Sequence, residues 1–270
     1  TTLVLALFLS GFQAGPLQAQ QKFIDLSLLV SEVYPCTWPT GFPLFQLKHY
    51  RRIGSLVPYN VDVLTIDGNT GTQIDVPPHS IPRPSTKLPN AGPLGDRFVD
   101  KIEAWQYGGE AVVIDVSELL DSTPDGQSSL ILPRHVEAWE QSHRRLRFGD
   151  VVLFKSGYSD KYYRPFPAGR RFVADPVEGK APAWPDPHPD TMTLLGKRGV
   201  MHVGCDSPSM GPLPDLAEPT HIAGLKFGMI FTEGVIGLGR LKPGSFYCVL
   251  GPRHAGGMYG EGRAFAVPAG

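Results

Sequence analysis

One short polar segment concentrates side chains that can bind a cation. Asn69, Gln73, Asp75 and His79 occur within the sequence Asn-Thr-Gly-Thr-Gln-Ile-Asp-Val-Pro-Pro-His. In an extended strand, residues two apart lie on the same face, so these four side chains are expected to form one line of oxygen and nitrogen donors. Burying so many polar groups without a compensating ion costs free energy. The spacing therefore predicts a metal site on one strand face.

The same segment resembles a signature of the cyclase / kynurenine formamidase-like metal-dependent hydrolase superfamily, His-x-Gly-Thr-His-x-Asp-x-Pro-x-His. Asp75, Pro77 and His79 match it, as does the Gly-Thr pair before Gln73. Asn69 and Gln73 occupy the two positions where dimetal formamidases have His. The segments THIAGL, with His221, and FTEGVIGL, with Glu233, are similar to the places where the family supplies a later His and a Glu. FIDLS, VVIDVSEL, FGDVVLFKSGY and GVMHVGCDSPS look like further family landmarks.

The departures from the signature bear on the metal. Two imidazoles are replaced by the amides of Asn69 and Gln73, and hard oxygen donors favour Mn²⁺, Mg²⁺ or Ca²⁺ over Zn²⁺. The resemblance to manganese-dependent isatin hydrolases, which use a single metal, implies one divalent ion per chain, with Mn²⁺ favoured and Zn²⁺ as the alternative. In the first ligand set, which we favour slightly, Asn69, Gln73 and Asp75 hold the ion.

The first ligand set leaves His79, His221 and Glu233 as catalytic groups for proton transfer. The resemblance implies a second set, in which the imidazoles are themselves ligands. That second ligand set consists of Asp75, His79, His221 and Glu233. The sequence leaves both arrangements open.

The resemblance implies hydrolysis of a C–N bond by metal-activated water. The expected substrate is a small molecule, either a cyclic amide or imide like isatin or an aryl N-formyl amide. An ester or lactone hydrolase is an alternative within the enzyme class. Loss of the two signature His residues keeps a further alternative open, a catalytically silent member of the same fold that binds a ligand outside the cell.

The order of apolar runs predicts an α+β fold. Strands are expected at residues 23–30, 61–67, 111–116, 150–157, 199–204, 228–233 and 246–250, and helices at 133–148 and near 191–198. The resemblance implies a swivelling β/β/α fold with a central β-barrel-like core and outer helices, usually as a homodimer or homotetramer. Residues 156–190 are rich in proline but too aromatic for a solvated linker, so we expect a long ordered loop.

The N-terminal residues resemble the end of a secretory signal. An apolar run from Leu3 to Leu9 precedes small and turn-forming residues, and it is too short to span a bilayer. We therefore assign residues 1–20 to a signal-peptide remnant and residues 21–270 to a single hydrolase domain. The net charge of −1 offers no basic surface for nucleic acid. The three cysteines allow either one disulfide or three thiols.

We expect the mature protein to begin near Gln20 and to be secreted or periplasmic, without membrane association. Intact-mass measurement of exported protein checks this, because cleavage after Ala19 removes the apolar run. Exported protein that retains residues 3–9 would contradict the assignment.

Overall fold

The computed structural model describes residues 23–269, so the assigned signal-peptide remnant lies outside the described residues. The strands are β1 (Ile24–Asp25), β2 (Gln46–Arg51), β3 (Val61–Thr65), β4 (Gln73–Asp75), β5 (Gly108–Asp115), β6 (Leu130–Ile131), β7 (Asp150–Lys155), β8 (Asp186–Pro187), β9 (His202–Cys205), β10 (Ile230–Glu233), β11 (Phe246–Leu250), β12 (Tyr259–Glu261) and β13 (Arg263–Val267). The α-helices are α1 (Pro133–Ser142), α2 (Tyr158–Tyr162), α3 (Ala174–Val177), α4 (Pro189–Lys197) and α5 (Ala217–Leu225).

Nine strands form one mixed sheet in the order β1-β13-β11-β5-β7-β9-β10-β4-β12. The central strands β5, β7, β9 and β10 are parallel, whereas β4 and β12 run antiparallel to their neighbours. The predicted mixture of strands and helices is confirmed as a large mixed sheet with few helices. The barrel-like core is not confirmed, because the edge strands β1 and β12 do not pair with each other in the described part of the chain.

Strand β7 shows why the sheet is buried on both faces. Val152 and Phe154 belong to an apolar cluster shared with residues of α1, α4 and α5, whereas Val151 and Leu153 belong to a second cluster on the opposite face. A strand covered on both sides has no solvent face, so its sequence is an unbroken apolar run. The central strands are therefore rigid supports for residues at their ends.

The proline-rich region is ordered, as its aromatic content predicts. It contains α2, α3 and a 3₁₀ turn at Ala168–Phe172. Tyr158, Tyr163, Phe172 and Trp184 are buried together with Leu28 of the N-terminal segment. This third cluster attaches the region to the body of the protein.

The prediction of one continuous strand face from residue 69 to residue 79 is wrong. Only Gln73–Asp75 is strand. Asn69 lies in a turn, and Gly71 has a φ of 68°, a left-handed conformation that interrupts extended backbone. Pro77 begins a 3₁₀ turn that ends at His79, since proline fixes a φ suited to the start of a helical turn.

The cysteines are free thiols in the described residues, Cys36 and Cys205 buried and Cys248 half-buried. The three-thiol arrangement is thus the one observed. Within residues 23–269 there is also no helix with both the length and the apolar character that crossing a bilayer requires.

Asp206 directly follows β9 and forms hydrogen bonds with the segment that follows β7. Its carboxylate accepts hydrogen bonds from the backbone N–H and the hydroxyl of Ser156 and from the N–H of Gly157, at 2.6–3.0 Å. Its carbonyl accepts two more from Ser159. These bonds hold the ends of two neighbouring parallel strands together.

Asp206→Ala is expected to lower the free energy of unfolding by about 3 kcal/mol, because it leaves several buried donors without an acceptor. Urea denaturation followed by circular dichroism measures the loss. Glu118→Ala, at an exposed position, is the matched control. Equal stability of the two variants would show that the Asp206 contacts do not support the fold.

Candidate metal centre

The fold brings residues from four separate segments to one point. Asp75 is the last residue of β4, and His79 follows at the end of the 3₁₀ turn. Glu233 is the last residue of β10, the neighbour of β4. His221 lies in α5, a helix packed beside α4. A strand end, a tight turn and a helix therefore converge on the carboxylate of Asp75.

The distances in this cluster suit a metal ion. The Nε2 atom of His221 lies 3.5 Å from Oδ2 of Asp75 and 3.3 Å from Oε1 of Glu233. The Nε2 atom of His79 lies 3.8 Å from the same Asp75 oxygen. One ligand atom each from Asp75, His79 and His221 lies within 4.8 Å of the other two. Ligands about 2.1 Å from a tetrahedral ion lie about 3.4 Å apart, so a small side-chain contraction completes the site.

Asp75 gives the chemical reason for a cation. Its side chain is buried, and neither carboxylate oxygen has a hydrogen-bond partner within the described residues. Burial acts to raise the pKa of Asp75, but His79 and His221 outweigh burial and lower that pKa. An ionised carboxylate without donors is costly to bury unless it is paired or bound to a metal. The residues present therefore fit a divalent ion.

The carboxylate of Glu233 is held differently from that of Asp75. The amide Nε2 of Gln73 donates to its Oε2 at 2.6 Å, and the backbone N–H of Met210 donates to its Oε1 at 2.5 Å. Burial and the negative charge of Asp75 raise the pKa of Glu233 to about 7. A carboxyl group with this pKa exchanges protons near neutral pH, which suits a general acid–base.

The imidazole of His221 is oriented by its own helix. Its Nδ1 atom lies 2.8 Å from the carbonyl oxygen of Ala217, one turn earlier in α5. With Nδ1–H donating to that carbonyl, Nε2 is the atom that faces the carboxylates. Burial lowers the pKa of His221, but Asp75 and Glu233 outweigh burial and raise that pKa well above its usual value.

In the structure, the two amide residues of the first ligand set have contacts of their own. The NH₂ group of Gln73 is bound to Glu233, and Asn69 lies in the turn, half-buried, beside a small cavity that Gln73 also lines. Asp75 is instead close to His79, His221 and Glu233. This geometry favours the second ligand set, with Asp75, His79 and His221 as its ligands and Glu233 held by its own hydrogen bonds, and both sets stay predictions.

Sequence reasoning missed Met210 as a contributor to the site and gave Gln73 a different role, that of a metal ligand. Met210 contributes its backbone N–H, a group that every residue except proline has, so the residue type does not indicate this role. Gln73 acts on Glu233 because the two residues are directly paired across β4 and β10, and that register is visible only in the folded sheet.

We expect His79→Ala and His221→Ala each to release the ion, because losing one of three protein ligands opens the coordination shell. Elemental analysis after loading with Mn²⁺, followed by desalting, measures the loss. His143→Ala is the matched control, since His143 is exposed at the end of α1. Full metal content in both variants would support the first ligand set.

The protein is similar in sequence to a kynurenine formamidase and in structure to isatin hydrolases. The kynurenine formamidase of Salinibacter ruber is 27% identical over 235 residues, which are 85% of this chain and 89% of the relative. Isatin hydrolase A from Labrenzia aggregata matches the structure with a TM-score of 0.73 at 21% identity, covering 92% of this chain and 93% of that one. Isatin hydrolase A from Ralstonia solanacearum matches with a TM-score of 0.73 at 23% identity and covers 92% of each chain. These structural matches show a shared fold.

The sequence itself shows the family. A family model described as putative cyclase matches residues 24–212, a span that includes Asp75 and His79. That span is more than half of the 270 residues. The chain belongs to the putative cyclase family.

Proposed function

We propose that this protein is a hydrolase that uses one divalent metal ion to open a C–N bond of the amide type. The observation that carries the proposal is the buried carboxylate of Asp75, whose oxygens lack hydrogen-bond donors in the described residues and face two imidazoles. The relatives support the same chemistry, since their names describe a formamidase and hydrolases of isatin.

The site divides the work between metal binding and proton transfer. Asp75, His79 and His221 would hold the ion, which would act as a Lewis acid and lower the pKa of water. Glu233 would take a proton from the attacking water and return it to the leaving nitrogen, a role that suits a carboxyl group whose pKa is raised by burial and by Asp75. Gln73 and the N–H of Met210 keep its carboxylate in place.

The identity of the metal depends on which ligand set binds it. The preference for Mn²⁺ depends on the amide oxygens of the first ligand set. Two imidazoles and a carboxylate suit Zn²⁺ as well as Mn²⁺. We therefore propose one ion per chain, with both metals able to support activity.

Aromatic side chains that line cavities next to Gln73 support an aryl substrate. A small cavity lined by Trp38, Phe172 and Gln73 lies directly beside the hydrogen bond from Gln73 to Glu233. It shares Trp38 and Val173 with a larger cavity of about 460 Å³. Ligand sites of this kind are usually a few hundred Å³ with apolar walls and few polar groups. We propose a cyclic amide such as isatin, or an aryl N-formyl amide, as the substrate class.

A substrate panel of isatin, cyclic imides, N-formylkynurenine and an aryl lactone tests the proposal. We expect turnover of at least one amide, loss of activity after chelation, and recovery with Mn²⁺ or Zn²⁺. Glu233→Gln should keep the ion but lower kcat by about 10²–10⁴-fold, because the amide cannot transfer the proton. Glu118→Ala is the surface control.

Three outcomes would contradict the proposal. Metal-loaded protein that hydrolyses none of the compounds, yet binds them in calorimetry, would identify a catalytically silent binding protein. Turnover of the lactone alone would identify an esterase. Activity that is indifferent to chelation would remove the metal from the reaction.

A further inference from the structure

Tyr259 lies against the imidazole of His79. The ring centroids are 5.2 Å apart and the ring planes are at 90°, an edge-to-face arrangement. In the pairing of β12 with β4, Tyr259 is directly opposite Asp75, and directly opposite residues project from the same face of a sheet. The edge strand β12 thus contributes an aromatic side chain to the metal centre, in contact with one of its histidines.

The two histidines of the centre are oriented by different means. His221 has a hydrogen bond from Nδ1 to the carbonyl of Ala217. Metal-binding histidines usually have such a partner, which fixes the ring. His79 has no hydrogen bond from either ring nitrogen to any residue of the described chain, and its side chain is 24% exposed. Packing is therefore what holds its ring, and Tyr259 provides an edge-to-face contact.

Gly68 provides the space for the Tyr259 ring. A Cβ atom at position 68 would lie 1.8 Å from Cδ2 and 2.3 Å from Cε2 of Tyr259. Distances this short are not tolerated between carbon atoms, so any side chain at position 68 displaces the ring. The turn before β4 is in this way shaped around the tyrosine.

We propose that Tyr259 is a positioning residue, whose ring fixes the imidazole of His79 so that Nε2 faces Asp75. This rests on the proposed function, because it requires His79 to be a ligand. Tyr259 touches the imidazole rather than the ion, so its effect on the reaction is indirect. The phenol hydroxyl is not needed for an edge-to-face contact, so phenylalanine at position 259 should keep the contact with His79.

The first test is calorimetric titration of chelator-stripped protein with Mn²⁺. Tyr259→Leu is expected to weaken binding by about tenfold, the lower end of the effect of losing a group that orients a ligand. Tyr259→Phe should bind Mn²⁺ within about twofold of the wild type, since the aromatic contact is kept. Tyr50→Leu, on the exposed hairpin of β2 and β3, is the matched control and should change nothing.

Gly68→Ala gives an independent route to the same effect. It leaves the tyrosine in place but moves its ring, so Mn²⁺ affinity should fall as in Tyr259→Leu. Combining the two substitutions should cause no further loss, because both act through one contact. Additive losses would show that Gly68 acts by another route and would overturn the role given to the ring.

A measurement without metal separates this inference from the proposed function. In the NMR spectrum of the metal-free protein, the ¹³Cε1–H signal of His79, assigned with His79→Gln, should shift in Tyr259→Leu but much less in Tyr259→Phe. An unchanged signal in Tyr259→Leu would show that the contact is absent. A shifted signal with unchanged Mn²⁺ affinity would overturn the positioning role alone. Wild-type protein that binds neither Mn²⁺ nor Zn²⁺ would overturn the metal site and the positioning role together.

Discussion

The buried carboxylate of Asp75 is the constraint on which the site depends. It lies at the end of β4, between β10 and β12, in a sheet whose central strands are covered on both faces. No donor within residues 23–269 satisfies its two oxygens. Removing an anion from water is tolerated only where positive charge is supplied nearby. Helix α5 and the 3₁₀ turn each bring one imidazole to this position, and together these groups make a binding site for a cation.

Gln73 shows how one substitution in a signature changes the role of its neighbour. An imidazole at this position is a metal ligand in dimetal relatives, as the resemblance implies, whereas an amide can donate N–H bonds without changing charge. Here the amide donates to Glu233, and Met210 satisfies the second oxygen. A carboxylate bound by two neutral donors remains available for proton transfer. Losing a histidine therefore need not remove activity from the site.

The sequence predicts well those features that depend on local pattern. The apolar run of β7 and the start of α1 at Pro133 lie where they were expected. The single strand face was wrong because a period of two holds only in extended backbone, and Gly71 and Pro77 both interrupt it. The pairs Gln73–Glu233 and His79–Tyr259 join residues more than 150 positions apart, so no local pattern contains them. The family signature identified Gln73 and His79. Their contacts with Glu233 and Tyr259 depend on the pairing of β4 with β10 and β12, which is visible only in the structure.

The centre has a closed side and an open side. The side chains of Asp75 and His221 are 1% and 8% exposed, while that of His79 is 24% exposed. His221 and Glu233 are fixed by hydrogen bonds on the closed side, where burial strengthens electrostatic contacts. His79 therefore lies on the more exposed side of the centre, where Tyr259 packs against its ring. The contact with Tyr259 lies on this open side, whereas the hydrogen bonds that orient His221 and Glu233 lie on the closed side.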